Sequence, residues 1–285
     1  MNRRREAAAG LAFLLPSLLG MVVFTLFPFV KSLYYTFTQG ITQVRFVGLE
    51  NFSDLVSNPA FTLAVRNTLV FMGAGIPMLL AVSIFLSICV KGDLFRRLSV
   101  GYLAPLVVPI SAVVYGWQFL LGEKGLIAGA MTALGLESVN LLADRYAMPV
   151  SLLIFVWKNT GYISVILSSA ITAIPKEYYE VFYLDSSSEI KLATSVIIPL
   201  ILPMMFFALI ISMMNSFKAF REIHVMYGSM PPKNIYMLQH FMNNNFTKLN
   251  YQRLTTAAVL LVGLLLVFIV FFLWGQRRLS NRLEG

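Results

Sequence analysis

The sequence predicts an all-α integral membrane protein with six transmembrane helices. Three observations carry that reading. Charge is scarce: 58% of the residues are hydrophobic, only 12% are charged, and the mean hydropathy is +0.76. Soluble domains carry roughly a quarter charged residues, so half of the usual solvating charge is missing and the excess apolar sequence belongs in lipid. Apolar stretches of bilayer length, about 20 residues, recur along the chain. The basic residues gather in alternate connections, as a fixed orientation in the membrane requires.

Taken in order, the first span is residues 11–37, whose apolar body is too long and whose exit is wrong for a cleaved signal peptide. The second is 62–90, entered through the turn signal Asn58-Pro59. The third is 100–121, the fourth 148–174 and the fifth 196 to about 214. The sixth, 254–274, is free of charge. Between the third and fourth spans lies a short amphipathic segment, Gly-Leu-Ile-Ala-Gly-Ala-Met, then a loop containing Asn140 and Asp144. Without low-complexity tracts or internal repeats, residues 1–285 read as one transmembrane domain.

Six helices put both termini on the same side. With the termini inside, the internal segments hold eleven basic residues: Arg3, Arg4, Arg5, Lys91, Arg96, Arg97, Lys176, Lys191, Arg277, Arg278 and Arg282. The external loops hold six: Arg45, Lys124, Arg145, Lys233, Lys248 and Arg253. This bias places both termini, and the connection between the fourth and fifth spans, in the cytoplasm. It also accounts for the net charge of +9 as topology, in preference to nucleic-acid binding.

That fourth connection is a charged island between apolar spans, bracketed by Pro175, Pro199 and Pro203. It carries Glu180, then Asp185 five residues on, and closes in Val196-Ile197-Ile198-Pro199. Asp185 to Glu189 read as a helix cap and first turn, because Asp and Ser side chains satisfy the free amides at a helix start. Taken by itself, the loop could equally be an amphipathic connection with Tyr178, Tyr179, Phe182 and Tyr183 lying on the membrane surface.

Enzyme chemistry finds no support. No G-x-x-x-x-G-K-[ST] phosphate loop occurs, so the chain does not itself hydrolyse ATP. There is no H-E-x-x-H, and His224 and His240 stand too far apart in sequence to suggest a local metal site. The lone Cys89 excludes a disulfide framework. No catalytic or metal-binding residue is nominated, and no cofactor is expected in this chain.

Polar side chains inside spans are costly and tend to face a cavity. Trp157-Lys158-Asn159-Thr160-Gly161-Tyr162 sits near the middle of the fourth span. Ser212, Asn215, Ser216, Phe217, Lys218, Phe220 and Arg221 form a second cluster at the outer end of the fifth. Lys158 could serve there as an internal salt-bridge or gating lysine, and Lys218 and Arg221 could snorkel to the interface. The acids all fall in loops on this reading, which weighs against an ion-coupled secondary transporter.

The chain resembles, over nearly its full length, the permease subunits of carbohydrate ABC importers, the branch that serves maltose and glycerol-phosphate uptake. The matching pieces are the opening LAFLLPSLLGMVVFTLFPFVKSLYYTFT, then FVGLENF and NPAFTLAVRNT, then PLVVPISAVVYGWQFLLGEKGL, and the Trp157-to-Ile174 stretch running into Pro175. The family's cytoplasmic coupling loop, E-A-A, three residues, G, nine residues, I-x-L-P, maps by count onto residues 175–199. Glu180 takes the acid, Ser186 the glycine and Pro199 the final proline. Val181 and Phe182 replace the two alanines.

The resemblance implies a type I importer fold in the bacterial inner or plasma membrane, with Glu180, Asp185, Ser186 and Pro199 coupling to an ATPase. It implies a substrate pathway at Lys158, Asn159, Tyr162, Ser212, Asn215, Ser216 and Ala219, passing a carbohydrate, most simply an oligosaccharide, by alternating access. The implied partners are a second similar permease, an ATPase dimer holding ATP and Mg, and an extracytoplasmic solute-binding protein. The alternatives are an ATP-independent secondary transporter and a non-transporting membrane sensor subunit.

Overall fold

The computed structural model of the chain describes residues 2–40, 43–89 and 101–283. It divides into two compact units, Met1–Thr62 with Met242–Leu265, and Leu63–Phe241 with Leu266–Gly285. The loop of residues 91–97 lies outside the described residues, as do the side chains of Arg3, Arg4, Arg5, Arg277, Arg278 and Arg282.

In the first unit, α1 (Asn2–Met21) passes through a π-turn at Val22–Leu26 into α2 (Phe27–Thr36). Pro28 lacks the N–H that would continue the α-helical ladder, and a wider turn ahead of it absorbs the clash of its ring. The apolar 18-residue window within Gly10–Thr36 holds no residue buried by the chain itself, which suits a helix solvated by lipid. Two short strands, β1 (Thr38–Gln39) and β2 (Arg45–Phe46), pair antiparallel with Thr38 opposite Phe46. Asn51, in α3 (Glu50–Val56), fastens this hairpin by donating from Nδ2 to the carbonyls of Thr36 and Thr38 at 2.9 and 3.0 Å. The Tyr251 ring stacks on Tyr35 at 6.1 Å.

The long helix α4 (Pro59–Cys89) starts where the turn signal placed it. The Oδ1 of Asn58 accepts from the amides of Ala60 and Phe61 at 3.0 and 3.2 Å, while Pro59 at the first helical position forgoes an amide that had no partner anyway.

The third span, expected over 100–121, is a broken one. It breaks into α5 (Gly101–Val107) and α6 (Ile110–Leu121), with α7 (Leu126–Ala133) following, and the axis bends by 112° at the break. Pro109 is the cause: it pushes Val108 out of helical conformation and itself takes φ −55°, ψ 142°. Together with five membrane-length helices, this bent pair gives up to six spans.

The second unit is organised around α8 (Ala147–Thr172), which buries Phe155, Ile163 and Leu167 in the main core beside Phe71 and Leu79 of α4. The α4–α8 contact is close and polar. Ser87 donates to the Ser164 carbonyl at 3.0 Å. Ser83 donates to the Thr160 carbonyl and Ser164 to the Ser83 carbonyl, both at 3.4 Å. Gly75 leaves room for Leu152 and Phe155. Lipid gives no hydrophobic reward for bringing two helices together, so small residues and interhelical hydrogen bonds supply the contact.

After α8 come α9 (Lys176–Asp185), α10 (Glu189–Leu192) and a second π-turn, Ala193–Ile197. This turn precedes Pro199 as the first precedes Pro28, for the same reason. The helix then runs as α11 (Ile198–Lys218) into α12 (Phe220–Tyr227). The fifth span is therefore longer than predicted, reaching across Glu189–Tyr227. The chain ends in α13 (Leu238–Thr247) and α14 (Tyr251–Leu283).

Candidate functional site: a polar cavity and an exposed acidic loop

A cavity of about 160 Å³ lies where α8 faces the junction of α11 and α12, with Leu106 of α5 on its wall. Helix α8 supplies Ser151, Ile154, Phe155, Lys158 and Asn159, and the junction supplies Asn215, Lys218, Ala219, Arg221 and Glu222. The junction exists because the helix is interrupted at Ala219, whose amide still bonds back to Asn215 at 3.2 Å. The interruption turns successive polar residues of α11 and α12 toward one space.

At the cavity, Lys158 donates to the Glu222 carboxylate, and the two side chains are 14% and 8% exposed. Two opposite charges so enclosed hold each other in place, because either one alone would bear the full cost of leaving water. Asn159 donates to the Phe155 carbonyl of its own helix at 2.8 Å. The Ser151 hydroxyl is buried and has no hydrogen-bond partner.

Of the seven predicted pathway residues, Lys158, Asn159, Asn215 and Ala219 line the cavity. The other three do not. Ser212 and Ser216 are buried and spend their hydroxyls on the Ala208 and Met213 carbonyls of their own helix, at 2.7 and 2.6 Å. Tyr162 packs on the hydrophobic core. Back-bonding of Ser within a helix satisfies the hydroxyl locally, so residue type and spacing could not reveal which serines face the cavity.

The expectation that every acid sits in a loop is corrected. Glu222 is buried within the Glu189–Tyr227 helix stretch, four residues beyond Lys218 and one beyond Arg221, the last residue of the polar cluster read from the sequence. The signal that could have found it was the unmatched Lys158 in a span, which calls for an acid partner. The placement of the acids therefore no longer weighs against ion-coupled transport.

The connecting loop folds as helix, turn, helix. The predicted cap moves: Asp185 ends α9, and Ser188 caps α10 by accepting from the Lys191 amide at 3.4 Å. Glu180 and Asp185 are exposed, and Ser186 and Pro199 half-exposed. Beside them Leu184 is 85% and Ile190 78% exposed, with Val181 and Tyr183 also outward. Beneath, Leu192 and Ile197 anchor the loop in a small core with Ile171, Ile174 and Ile201.

His224 and His240 do come together, with ring centroids 6.3 Å apart. His240 is wholly buried, its Nδ1 accepting from the Met237 amide at 3.2 Å. Burial first, and the charge of His224 second, pull His240 down from 6.5 to about 4. Among the described residues no three His, Cys, Asp or Glu side chains are placed to hold a metal ion.

Membrane-length helices, a small polar cavity lined by two of them, and an acidic and apolar loop define a multi-pass membrane transport subunit. The chain belongs to the family of binding-protein-dependent transport system inner membrane components, whose model matches residues 65–285. Members are translocation subunits of ABC importers, not enzymes, and sit in the inner membrane.

A relative from Pyrococcus horikoshii, named a probable ABC transporter permease protein, is 26% identical over 97% of this chain and 99% of its own. The diacetylchitobiose uptake system permease protein NgcF of Streptomyces coelicolor is 28% identical over 96% of this chain and 82% of its own. A crystal structure of a bacterial ABC transporter involved in the import of the acidic polysaccharide alginate contains a similar chain. That chain has a TM-score of 0.83 and 21% identity over 96% of both chains, a likeness of fold.

Proposed function

We propose that this chain is the membrane-spanning subunit of an ATP-driven carbohydrate importer. It takes an oligosaccharide from an extracytoplasmic solute-binding protein and releases it into the cytoplasm by alternating access. The observation that carries this reading is the cavity on α8 and the α11–α12 junction. Its walls combine an enclosed ion pair, amides and apolar surface, the mix that orients a hydroxyl-rich solute. Named relatives that take up diacetylchitobiose, trehalose or maltose, and arabinooligosaccharides support the substrate class.

In this reading residues 1–285 form a single transmembrane domain with both termini cytoplasmic, and residues 175–199 are its coupling loop. Glu180, Asp185 and Ser186, with the exposed Leu184 and Ile190, enter a cleft on a partner ATPase, and Pro199 fixes the loop's return into the membrane. The ATPase dimer binds ATP and Mg, and a second, similar permease completes the pathway. Closure of the ATPase pair draws the loops together and rocks the helices as largely rigid bodies. Lys158, Asn159, Asn215 and Ala219 line the route, while Tyr162, Ser212 and Ser216 support it from behind.

The test is sugar uptake into proteoliposomes holding the complete importer, with ATP inside and binding protein outside. Uptake that needs ATP, binding protein and this chain together is the expected result. Uptake that persists without ATP overturns the reading in favour of a secondary transporter.

A further inference from the structure

We infer that the cargo is an acidic saccharide, one carrying a carboxylate such as a uronate; this rests on the importer reading above. Of the cavity's ionisable side chains three are cationic, Lys158, Lys218 and Arg221, and one is anionic, Glu222. Glu222 is already engaged by Lys158, and both are enclosed. Neither Lys218 nor Arg221 forms an ion pair among the described residues. Among the described residues Arg221 donates only to the Lys218 carbonyl, at 3.5 Å.

Lys218 and Arg221 are exposed cations that line the same cavity from either side of the break at Ala219, and two like charges so placed repel. A neutral sugar would leave that repulsion unrelieved. A carboxylate offsets it, because the planar Arg221 fork can donate to both of its oxygens and Lys218 adds a point charge beside it. The Ser151 hydroxyl, buried at the cavity wall without a partner, then remains for the sugar's own hydroxyls. Charged hydrogen bonds are the stronger kind, so this pair would select for the anionic ring over its neutral counterpart.

The experiment compares uptake of radiolabelled trigalacturonate and its neutral analogue, galactotriose, by the complete reconstituted importer with its own binding protein. The wild type is set beside Lys218→Gln/Arg221→Gln and the charge-keeping Lys218→Arg/Arg221→Lys, with each complex quantified after assembly. Uptake confined to the uronide, or an acidic-to-neutral ratio that falls roughly tenfold or more in the glutamine variant and recovers in the charge-keeping one, supports the inference. Uptake of the neutral sugar alone overturns it while leaving the importer reading intact. So does equal loss of both sugars in the glutamine variant, which would mark the two cations as interfacial anchors. If an assembled, ATP-hydrolysing complex takes up neither sugar, the importer reading itself fails for this class of solute, and the inference with it.

Discussion

Lys158 on α8 donates to Glu222 on α12, 64 residues further along the chain, and the pair is nearly closed off from solvent. The contact ties the central helix to the short helix beyond the α11–α12 junction, and so fixes one wall of the cavity.

Breaking that pair from one side strands a charge in a low-dielectric site. Lys158→Met or Glu222→Gln should each cost about 3–5 kcal/mol, whereas Lys158→Met with Glu222→Leu should recover most of the loss, since well-packed apolar side chains replace buried pairs at little cost. Thermal unfolding of the detergent-solubilised complex reads both. If the double variant is no more stable than the singles, the pair is not the source of the effect.

Gly161 is a second constraint on the same helix. A Cβ there would overlap the Tyr102 carbonyl of α5. Gly→Ala inside a helix ordinarily gains up to about 1 kcal/mol, and Gly73 in α4, with open space around it, should show that ordinary sign. Gly161→Ala should instead lower the melting temperature and transport together, because α5 must back away. A stabilised Gly161→Ala variant would mean that the two helices do not meet so closely.

The loop makes a prediction about contact. With the exposed Cys89 first replaced by Ser, Ser186→Cys should form a cross-link to a cysteine in the ATPase cleft, and its yield should change with ATP. Assembled complex that gives no cross-link at Ser186, while control positions react, would return the loop to the role of a surface helix.

His240 sets a pH dependence. Its folded-state value of about 4 lies below the ordinary 6.5, so the unfolded chain binds the proton more readily. The stability it contributes is present above about pH 6.5 and is lost as the pH falls toward 4, by about 3 kcal/mol in all. Melting temperatures recorded across that window should drop in the wild type and flatten in His240→Gln. An unchanged slope in the variant would assign the dependence to other groups.

Much of the architecture was legible in the chain. Runs of apolar residues as long as the bilayer is thick leave no fold but helices, because backbone amides have no other partner in lipid. Asn58-Pro59 announced the start of α4, and the charge-bearing break between Pro175 and Pro199 announced the loop. These signals are local: each is complete within a few residues of itself.

The class, the spans and the loop could thus be read from the residues alone, as could enough of the fourth and fifth spans to put Lys158, Asn159 and Asn215 among the candidates. Ala219 entered only through the resemblance to carbohydrate importer permeases. Three features needed the folded molecule. The third span bends by 112° at Pro109, Ser212 and Ser216 turn inward to their own helix, and Glu222 is the partner of Lys158. The reason is physical. A hydroxyl's choice between its own backbone and a cavity, and a lysine's choice of acid, depend on how two helices rotate against each other. That rotation is set by packing over their whole length, not by any run of residues in either one.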